Sequence, residues 1–291
     1  MRTLPLGPDA QAVTCFGLGG MPLSTANRPD EAQAMRVLHA VLDRGVTLID
    51  TANVYCRDHT DIGHNERLIA KALATWGGTR DGIVVATKAG MTRSDQRWGR
   101  DGRPSFITQS CDQSLVALGV DRIDLYQFHA PDAEIPLEES VGAFADLRDA
   151  GKIRWFGLSN VSVDEIERAR TILPVTTVQN RLNPFFREAI DDGVVQHCAT
   201  EGLGFLAYSP VGGGRLNKKL PDHAAVQPVA ARHGASPHAV VLAWVAAQGT
   251  SVIPIPGSRT VAHALDAMGA ADLVLSPDDL AAIDAAEFSR A

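Results

Sequence analysis

The feature that most constrains the fold of this chain is a repeated alternation of short apolar segments with longer amphipathic ones. Eight short segments are rich in β-branched and aromatic residues, which is typical of buried strands. They are residues 13–19, 46–50, 83–88, 123–129, 153–160, 175–180, 203–209 and 251–255. Amphipathic segments long enough for helices lie between them, at residues 30–44, 64–76, 105–119, 138–150, 162–173, 187–201 and 237–248.

Alternation of this kind predicts parallel strands that are joined by crossover helices, and therefore an α/β fold. Eight strand–helix units favour a closed (β/α)₈ TIM barrel over an open sheet. Ahead of the barrel, residues 3–7 and 12–16 flank a turn-rich segment and predict a short N-terminal β-hairpin. Because no linker or low-complexity segment divides the chain, we expect residues 1–291 to form a single barrel domain.

The composition narrows the class of protein. Hydrophobic residues make up 45% of the chain and charged residues 21%, as in an ordinary globular protein. The net charge of −7 argues against nucleic acid or an anionic membrane as a partner. No apolar run approaches the roughly 20 residues that span a bilayer, and the first residues do not resemble a signal peptide. We therefore expect a cytoplasmic protein.

The cysteines are too far apart in the sequence to suggest a metal site. They form no C-x-x-C motif, so neither a disulfide framework nor a zinc site is predicted. Most are expected to be small core residues. The chain contains Cys15, Cys56, Cys111 and Cys198.

Polar side chains stand where the predicted strands end. In a (β/α)₈ barrel, catalytic residues lie at the carboxyl ends of the strands and in the loops that follow them. Each of these residues alone has a structural explanation, such as satisfying a backbone group, but their convergence on one opening favours a function. They are Asp50, Tyr55, Lys88, His129, Ser159, Asn160, Gln179, Asn180, Tyr208, Ser209 and residues 256–259.

Four of these side chains could together deliver a proton to a carbonyl oxygen. A tyrosine, with its pKa of about 10, is a poor donor unless a cation stabilises the phenolate, and Lys88 could supply that charge to Tyr55. Asp50 could keep Lys88 charged, and a neutral His129 could hold the carbonyl oxygen. Such a group stabilises the alkoxide that forms when hydride arrives. No side chain donates hydride, so a nicotinamide cofactor is implied.

Across nearly its whole length, the sequence resembles the aldo-keto reductases. The resemblance rests on motifs that follow one another in order, at residues 50–55 (DTANVY), 86–88 (ATK), 124–129 (DLYQFH), 151–160 (GKIRWFGLSN), 178–180 (VQN), 208–210 (YSP) and 255–259 (IPGSR). It implies a barrel that binds NADPH without a Rossmann domain. It also implies a catalytic tetrad with Tyr55 as the general acid, formed by Asp50, Tyr55, Lys88 and His129.

The same resemblance implies a set of cofactor contacts. It places Ser159, Asn160 and Gln179 on the nicotinamide carboxamide and Tyr208 against the nicotinamide ring. It places Arg259 on a 2′-phosphate, which favours NADPH over NADH. The full set of expected cofactor residues is Gly20, Met21, Asp50, Ser159, Asn160, Gln179, Tyr208, Ser209, Pro210, Val211, Gly257, Ser258, Arg259 and His263.

The sequence departs from the family pattern beside Tyr55. Asn53 stands where many relatives have an acid, Cys56 where they usually have glycine, and the loop at residues 56–65 is longer than usual. Two further departures, at Asp266 and Ala267, weaken the expected adenine contacts. For the pocket of a small-molecule carbonyl substrate, we expect Met21, Asn53, Cys56 and Trp98.

Three other functions fit parts of the pattern. For a metal-dependent hydrolase, the candidate ligands are His59, Asp61, His64 and His129. They do not have the H-x-H or H-E-x-x-H spacing of metal-binding motifs. We therefore expect no metal. A Schiff-base aldolase could use Lys88, but a nearby Asp50 would keep the lysine protonated. The non-enzymatic alternative is an NADP(H)-binding redox sensor or regulatory subunit. Because the tetrad is complete, we favour reversible reduction of an aldehyde or ketone.

Overall fold

A sheet of eight parallel strands lies at the centre of the computed structural model, which describes residues 1–94 and 97–291. The strands that form it are β1 (Leu18–Gly19), β2 (Leu48–Asp50), β3 (Val84–Ala89), β4 (Ile123–Phe128), β5 (Ile153–Ser159), β6 (Thr177–Arg181), β7 (Gly204–Tyr208) and β8 (Val252–Pro254). Strands that follow one another in the chain are neighbours in the sheet.

Backbone hydrogen bonds between the two outermost strands close the sheet into a barrel. The amide of Gly17 donates to the carbonyl of Pro254 at 3.0 Å, and the amide of Gly19 donates to the carbonyl of Pro256 at 3.0 Å. These bonds join the β1 side of the sheet to the β8 side, so the sheet has no free edge. The (β/α)₈ fold predicted from the alternating segments is confirmed.

Helices cover the outside of the barrel. They are α1 (Glu31–Asp43), α2 (His64–Thr75), α3 (Pro104–Leu118), α4 (Leu137–Asp149), α5 (Val163–Arg170), α6 (Glu188–Asp191), α7 (Val194–Glu201), α8 (Gly213–Leu216), α9 (Val226–His233), α10 (Pro237–Ala246), α11 (Val261–Gly269) and α12 (Pro277–Asp284). Short 3₁₀ helices lie at Met21–Leu23, His59–Asp61, Asn217–Asp222 and Ala270–Asp272. In the described ranges, none of the helices combines the length and apolar character that a membrane crossing requires.

Capping residues explain where several helices begin. The side chains of Asp30, Ser236 and Thr260 each accept a hydrogen bond from a backbone amide in the first turn of α1, α10 and α11. Ser162 and Glu165 form a reciprocal capping box at the start of α5.

The large hydrophobic core lies between these helices and the outer faces of the strands.

Two predicted elements are divided in the structure. The segment at residues 187–201 forms α6 and α7 instead of one helix, because Gly193 adopts a left-handed φ of 77° between them. The segment at residues 13–19 contributes one part to the N-terminal hairpin and another to β1. Sequence patterning did not predict α9 and α12.

The predicted N-terminal hairpin is present and lies against the amino-terminal end of the barrel. Strand Thr3–Pro5 pairs with Ala12–Thr14 in antiparallel register. Leu6 and Val13 belong to the same buried cluster as barrel-interior residues such as Trp155. The hairpin therefore closes the end of the barrel opposite to the strand ends that carry the polar residues.

A second hairpin lies at the carboxyl end of the barrel. Strand Met91–Ser94 follows β3 and pairs with Arg97–Arg100, so that Arg93 is opposite Trp98. Residues 95 and 96 lie outside the described part of the chain. The sequence did not predict this hairpin, which brings Trp98 close to Tyr55.

The close contact between the N-terminal hairpin and β7 generates a stability prediction. A Cβ atom at Gly204 would lie 2.0 Å from the carbonyl oxygen of Leu6, so one of the two backbones would have to move. We expect Gly204→Ala to lower the free energy of unfolding by about 1–3 kcal/mol, as overpacked cores do. Denaturant-induced unfolding measures this loss.

Gly142→Ala is the matched control, because a Cβ atom at this position in α4 meets no atom within 4 Å. Alanine has the higher helix propensity, so the control should be neutral or slightly stabilising. Equal destabilisation by the two substitutions would contradict the role given to the Gly204–Leu6 contact.

Candidate active site

The ends of three neighbouring strands and one loop bring four side chains to the same opening. Asp50 is the last residue of β2, Lys88 is the fifth residue of β3, and His129 follows β4 directly. Tyr55 lies in the loop after β2. The amide of Tyr55 donates to the carbonyl of Ala52 at 3.1 Å, and the amide of Cys56 donates to the carbonyl of Val54 at 2.9 Å, so the backbone forms a tight turn. All four side chains are buried.

The ammonium group of Lys88 is the centre of this cluster. Its Nζ donates to both carboxylate oxygens of Asp50, at 2.6 and 2.7 Å, and to the carbonyl oxygen of Thr51 at 2.8 Å. It lies 3.1 Å from the Oη atom of Tyr55, which accepts a hydrogen bond from it. The phenolic proton of Tyr55 therefore points elsewhere and can be donated to a substrate.

Burial and neighbouring charges shift the pKa values of three groups in the cluster. Burial, with the charge of Asp50, raises the pKa of Tyr55 well above its usual value. Burial and the charge of Lys88 lower the pKa of His129 well below its usual value. Burial is also the largest effect on Lys88 and lowers its pKa, whereas Asp50 acts in the opposite direction. At neutral pH, Tyr55 is therefore protonated and His129 is neutral.

The pKa of Tyr55 differs from the expectation drawn from the sequence. We expected Lys88 to stabilise the phenolate and thereby make Tyr55 more acidic. In the structure, burial has the largest effect on the pKa of Tyr55 and raises it, because a buried phenolate loses its contact with water; the charge of Asp50 acts in the same direction. Tyr55 thus keeps its proton until an acceptor arrives.

Aromatic and apolar side chains surround the outer face of Tyr55. The ring of His129 lies edge-on to Tyr55 with 5.8 Å between centroids, and Trp98 lies edge-on at 6.5 Å. The guanidinium of Arg93 lies 4.2 Å above the Trp98 ring. Trp98 and Met21 remain 43% and 42% exposed, so each offers an apolar surface at the opening.

The structure does not place Asn53 and Cys56 in the wall of this opening. Cys56 is fully buried, its thiol donates to the Val54 carbonyl at 3.3 Å, and burial raises its pKa to about 11. Asn53 is also buried and faces a separate groove between the start of α2 and α3. The tight turn that directs Tyr55 inward turns these two neighbours away.

A cleft of about 640 Å³ leads from Tyr55 across the carboxyl end of the barrel to Arg259. Ten of the fourteen expected cofactor residues line it, namely Met21, Asp50, Tyr208, Ser209, Pro210, Val211, Gly257, Ser258, Arg259 and His263. Gly20, Ser159, Asn160 and Gln179 do not line it. Three of them contact residues that do: the amide of Gly20 donates to the carbonyl of Asp50 at 2.7 Å, Gln179 Nε2 donates to Asp50 Oδ1 at 2.7 Å, and the hydroxyl of Tyr208 donates to Asn160 Oδ1 at 2.8 Å. Ser159 accepts a hydrogen bond from Asn160 Nδ2 at 3.1 Å.

Several residues that line the cleft were not identified from the sequence. They are Pro22, Gly213, Gly214, Asn217, Lys218, Pro221, His238 and Leu242. Most of them belong to the segment that follows β7, in which the run of glycines at residues 212–214 was the available signal. Asp266 and Ala267, which depart from the family pattern, also lie in the cleft wall.

Two residues at strand ends hold unusual backbone conformations beside the cleft. Asn160 follows β5 with φ of 59°, and Ser209 follows β7 with φ of 50°. Residues other than glycine rarely occupy this left-handed region, and they keep it where surrounding contacts impose it. Asn160 is held by hydrogen bonds from its Nδ2 atom to the His129 carbonyl and to Ser159 Oγ, at 2.9 and 3.1 Å.

Two of the four residues considered as metal ligands in the sequence have other partners. Asp61 pairs with Arg28, and His64 Nδ1 lies 2.8 Å from Ser24 Oγ. Throughout residues 1–94 and 97–291, no group of three or more His, Cys, Asp or Glu side chains is arranged to hold a metal ion.

The cleft has the shape and the donors that a nicotinamide dinucleotide requires. It is elongated, with an aromatic side chain, Tyr208, toward Tyr55 and a guanidinium at the other end. Arg259 is anchored there by a hydrogen bond from Nη2 to the Ala26 carbonyl at 3.1 Å, and Ser258 offers a hydroxyl beside it. The ring of Tyr208 could stack on a planar ring of a ligand. The guanidinium of Arg259 could bind a phosphate group.

Comparison with known proteins agrees with this geometry. Residues 16–287 match the Aldo/keto reductase family. The chain is 32% identical to a soybean (Glycine max) protein named "Probable aldo-keto reductase 1", with 96% of this chain and 87% of that protein covered.

Solved structures show the same fold. A glycerol dehydrogenase from Gluconobacter oxydans superposes with a TM-score of 0.83 at 28% identity, covering 97% of this chain and 94% of the other. An aldo/keto reductase from Klebsiella pneumoniae in complex with NADP and acetate superposes with a TM-score of 0.80 at 28% identity and the same coverage. The family match spans nearly the whole sequence, and the chain therefore belongs to the aldo/keto reductase family.

Proposed function

We propose that this protein is an NADPH-dependent oxidoreductase that reversibly reduces an aldehyde or ketone to the alcohol, with Tyr55 as the proton donor. The observation that carries the proposal is the hydrogen bonding of Lys88 Nζ to both Asp50 oxygens and to Tyr55 Oη in one buried cluster beside the cleft. Membership in a family of nicotinamide-dependent oxidoreductases supports the reaction class.

Tyr55 is the catalytic residue that gives the proton. Its raised pKa keeps the proton in place at neutral pH, and Lys88 donates to the oxygen lone pair, so the O–H bond is left to point outward. After transfer, Lys88 lies 3.1 Å from the oxygen that has become negative and stabilises that charge. Asp50 keeps Lys88 in place throughout.

His129 would hold the carbonyl oxygen of the substrate next to Tyr55. Its lowered pKa keeps the imidazole neutral, so it offers an N–H donor without a competing positive charge. Its Nδ1 atom is buried and has no hydrogen-bond partner among the described residues. Two donors, from Tyr55 and His129, would then meet at one oxygen, which is the geometry that stabilises a developing alkoxide.

A nicotinamide cofactor, when bound, supplies the hydride. Ser159, Asn160 and Gln179 would hold its carboxamide, and Tyr208 would cover its ring and exclude water. Ser209, Pro210 and Val211 would run beside the pyrophosphate, and Gly257, Ser258, Arg259 and His263 would bind the adenosine end. We infer a preference for NADPH because Arg259 can pair with a 2′-phosphate.

The relatives support the reversibility and the cofactor of the proposed reaction. The Klebsiella protein was solved with NADP, and the Gluconobacter protein is a glycerol dehydrogenase, which oxidises an alcohol.

Because the proposed cofactor and catalytic residues come from strands along most of the chain, we also infer that residues 1–291 work as one domain.

Tyr55→Phe tests the proposed proton donor. Because the substitution removes the hydroxyl that carries the transferable proton and keeps the rest of the ring, we expect the rate of aldehyde reduction to fall by at least about a hundredfold, with NADPH affinity nearly unchanged. NADPH consumption measured with a panel of aldehydes and ketones, and cofactor fluorescence, provide the two readouts.

Tyr126→Phe is the matched control, since this tyrosine is buried in β4 and does not line the cleft. Near-normal turnover in Tyr55→Phe would refute the mechanism. If wild-type protein bound NADPH but oxidised it with no carbonyl compound, the sensor alternative would replace this proposal.

Arg259→Ala tests the cofactor preference. Loss of a charged pair with the 2′-phosphate should raise the dissociation constant for NADPH by about ten- to a hundredfold and leave that for NADH nearly unchanged. Titration of both cofactors by fluorescence measures the difference. Arg36→Ala is the control, because the Arg36 guanidinium contacts Gln33 on α1 and does not line the cleft. Equal effects of Arg259→Ala on the two cofactors would remove the assignment.

A further inference from the structure

Two glutamines share the carboxylate of Asp50 inside the barrel. Gln179 Nε2 donates to Asp50 Oδ1 at 2.7 Å, and Gln127 Nε2 lies 3.3 Å from the same oxygen. Gln179 Nε2 also donates to Gln127 Oε1 at 3.2 Å. Both glutamine side chains are buried, so the two amides and the Asp50–Lys88 pair form one continuous polar network.

This network determines how the amide of Gln179 is oriented. An ionised carboxylate only accepts hydrogen bonds, so the group of Gln179 that faces Asp50 has to be its NH₂. The two hydrogens of that NH₂ are directed to Asp50 Oδ1 and Gln127 Oε1. The amide oxygen of Gln179 is consequently turned away from Asp50 and stays available as an acceptor. Reversing the amide would set its oxygen against the carboxylate and break both bonds.

The barrel makes room for Gln127 at one position on the neighbouring strand. Gln127 in β4 is in register with Lys88 of β3 on one side and with Gly157 of β5 on the other. A Cβ atom at Gly157 would lie 2.4 Å from Thr177 Oγ1 and 3.0 Å from Gln127 Cγ, and would crowd both side chains. The side chain of Gln127 therefore extends across the barrel interior over the backbone of β5, where it reaches both Asp50 and Gln179.

We propose that Gln127 is a positioning residue: together with Asp50, it holds Gln179 with the amide oxygen presented to the NH₂ of the nicotinamide carboxamide, and it links that contact to the Asp50–Lys88–Tyr55 cluster. The inference rests on the proposed function for the identity of the cofactor. Its new content is the role of Gln127 in holding the amide of Gln179. The proposal requires the carboxamide of the cofactor to offer its N–H group at this point.

The network also affects the proton donor. The titratable groups around the Asp50–Lys88 pair are Tyr55, His129 and, from α2, Glu66. Donors to Asp50 stabilise its negative charge, so removing one makes the carboxylate hold the protons of its neighbours more tightly. Removal of the Gln127 amide should therefore raise the pKa of Tyr55 further and make it a weaker acid.

A binding cycle tests the orientation of Gln179 without any need for turnover. The probes are NADP⁺ and its 3-acetylpyridine analogue, in which an acetyl group without N–H replaces the carboxamide. We expect wild-type protein to bind NADP⁺ about three- to tenfold more tightly than the analogue, the range for one hydrogen bond. Gln127→Met keeps the size of the side chain but removes one of the two acceptors that hold the Gln179 NH₂, and Asp50 remains. This preference should therefore fall by about half.

Thr177→Val is the matched control for this cycle. Thr177 is buried in β6, and its hydroxyl has no hydrogen-bond partner among the described residues, so the near-isosteric change should keep the full preference for NADP⁺. An undiminished preference in Gln127→Met would overturn the inference while leaving the proposed function intact. Failure of wild-type protein to bind either probe would instead overturn the proposed function and this inference with it.

The pH profile of carbonyl reduction supplies a second readout. In Gln127→Met, the pH at which the rate falls on the alkaline side should move upward by about half a unit, and the plateau rate should drop. Gln127→Glu places another carboxyl group beside Asp50, so its shift should be larger and in the same direction. A reduced rate with an unshifted alkaline limb in both variants would show that Gln127 only fills space, and would overturn the proposal. Thermal unfolding of each variant shows that it is folded.

Discussion

The site depends on the burial of one positive charge. Lys88 has no exposed surface, and a buried ammonium is stable only if its hydrogen-bond donors are satisfied and its charge is compensated. Asp50 and the Thr51 carbonyl meet most of this requirement, and the remaining contact falls on Tyr55 Oη. The need to compensate Lys88 therefore places the phenol where it can donate its proton outward. Removing Asp50 would leave the charge uncompensated, so the site and local stability are coupled.

The strands of the barrel hold the catalytic cluster in place, and the loops beyond the strands form the surface around it. Residues on strands or directly after them, such as Asp50, Lys88 and Gln179, are fixed by the ladder of the parallel sheet. Trp98 comes from a hairpin beyond β3, and the cleft wall near Lys218 comes from the segment after β7. This division separates the chemistry, which needs distances held to a few tenths of an ångström, from substrate and cofactor selection, which depends on loops.

Part of the site was predictable because a local rule applied. In a barrel, the carboxyl ends of the strands meet at one opening, so Asp50, Lys88 and His129 could be grouped from their positions alone. The rule does not say how a side chain turns within a loop, and Cys56 proved to be buried with its thiol on the Val54 carbonyl. It also overlooks residues inside the strand. Gln127 looked like an ordinary strand residue, and its contacts with Asp50 and Gln179 join positions that are 77 and 52 residues away in the chain.

The sequence by itself determined the class of fold, the N-terminal hairpin and the set of polar strand ends, because periodicity and chain order carry that information. Only the tertiary structure decided the protonation of Tyr55, since its pKa depends on burial by residues from several elements. Only the tertiary structure placed Trp98 over the opening and directed the amide of Gln179. Those outcomes depend on which atoms meet across the barrel, and the distances between strands are set by packing of the whole chain.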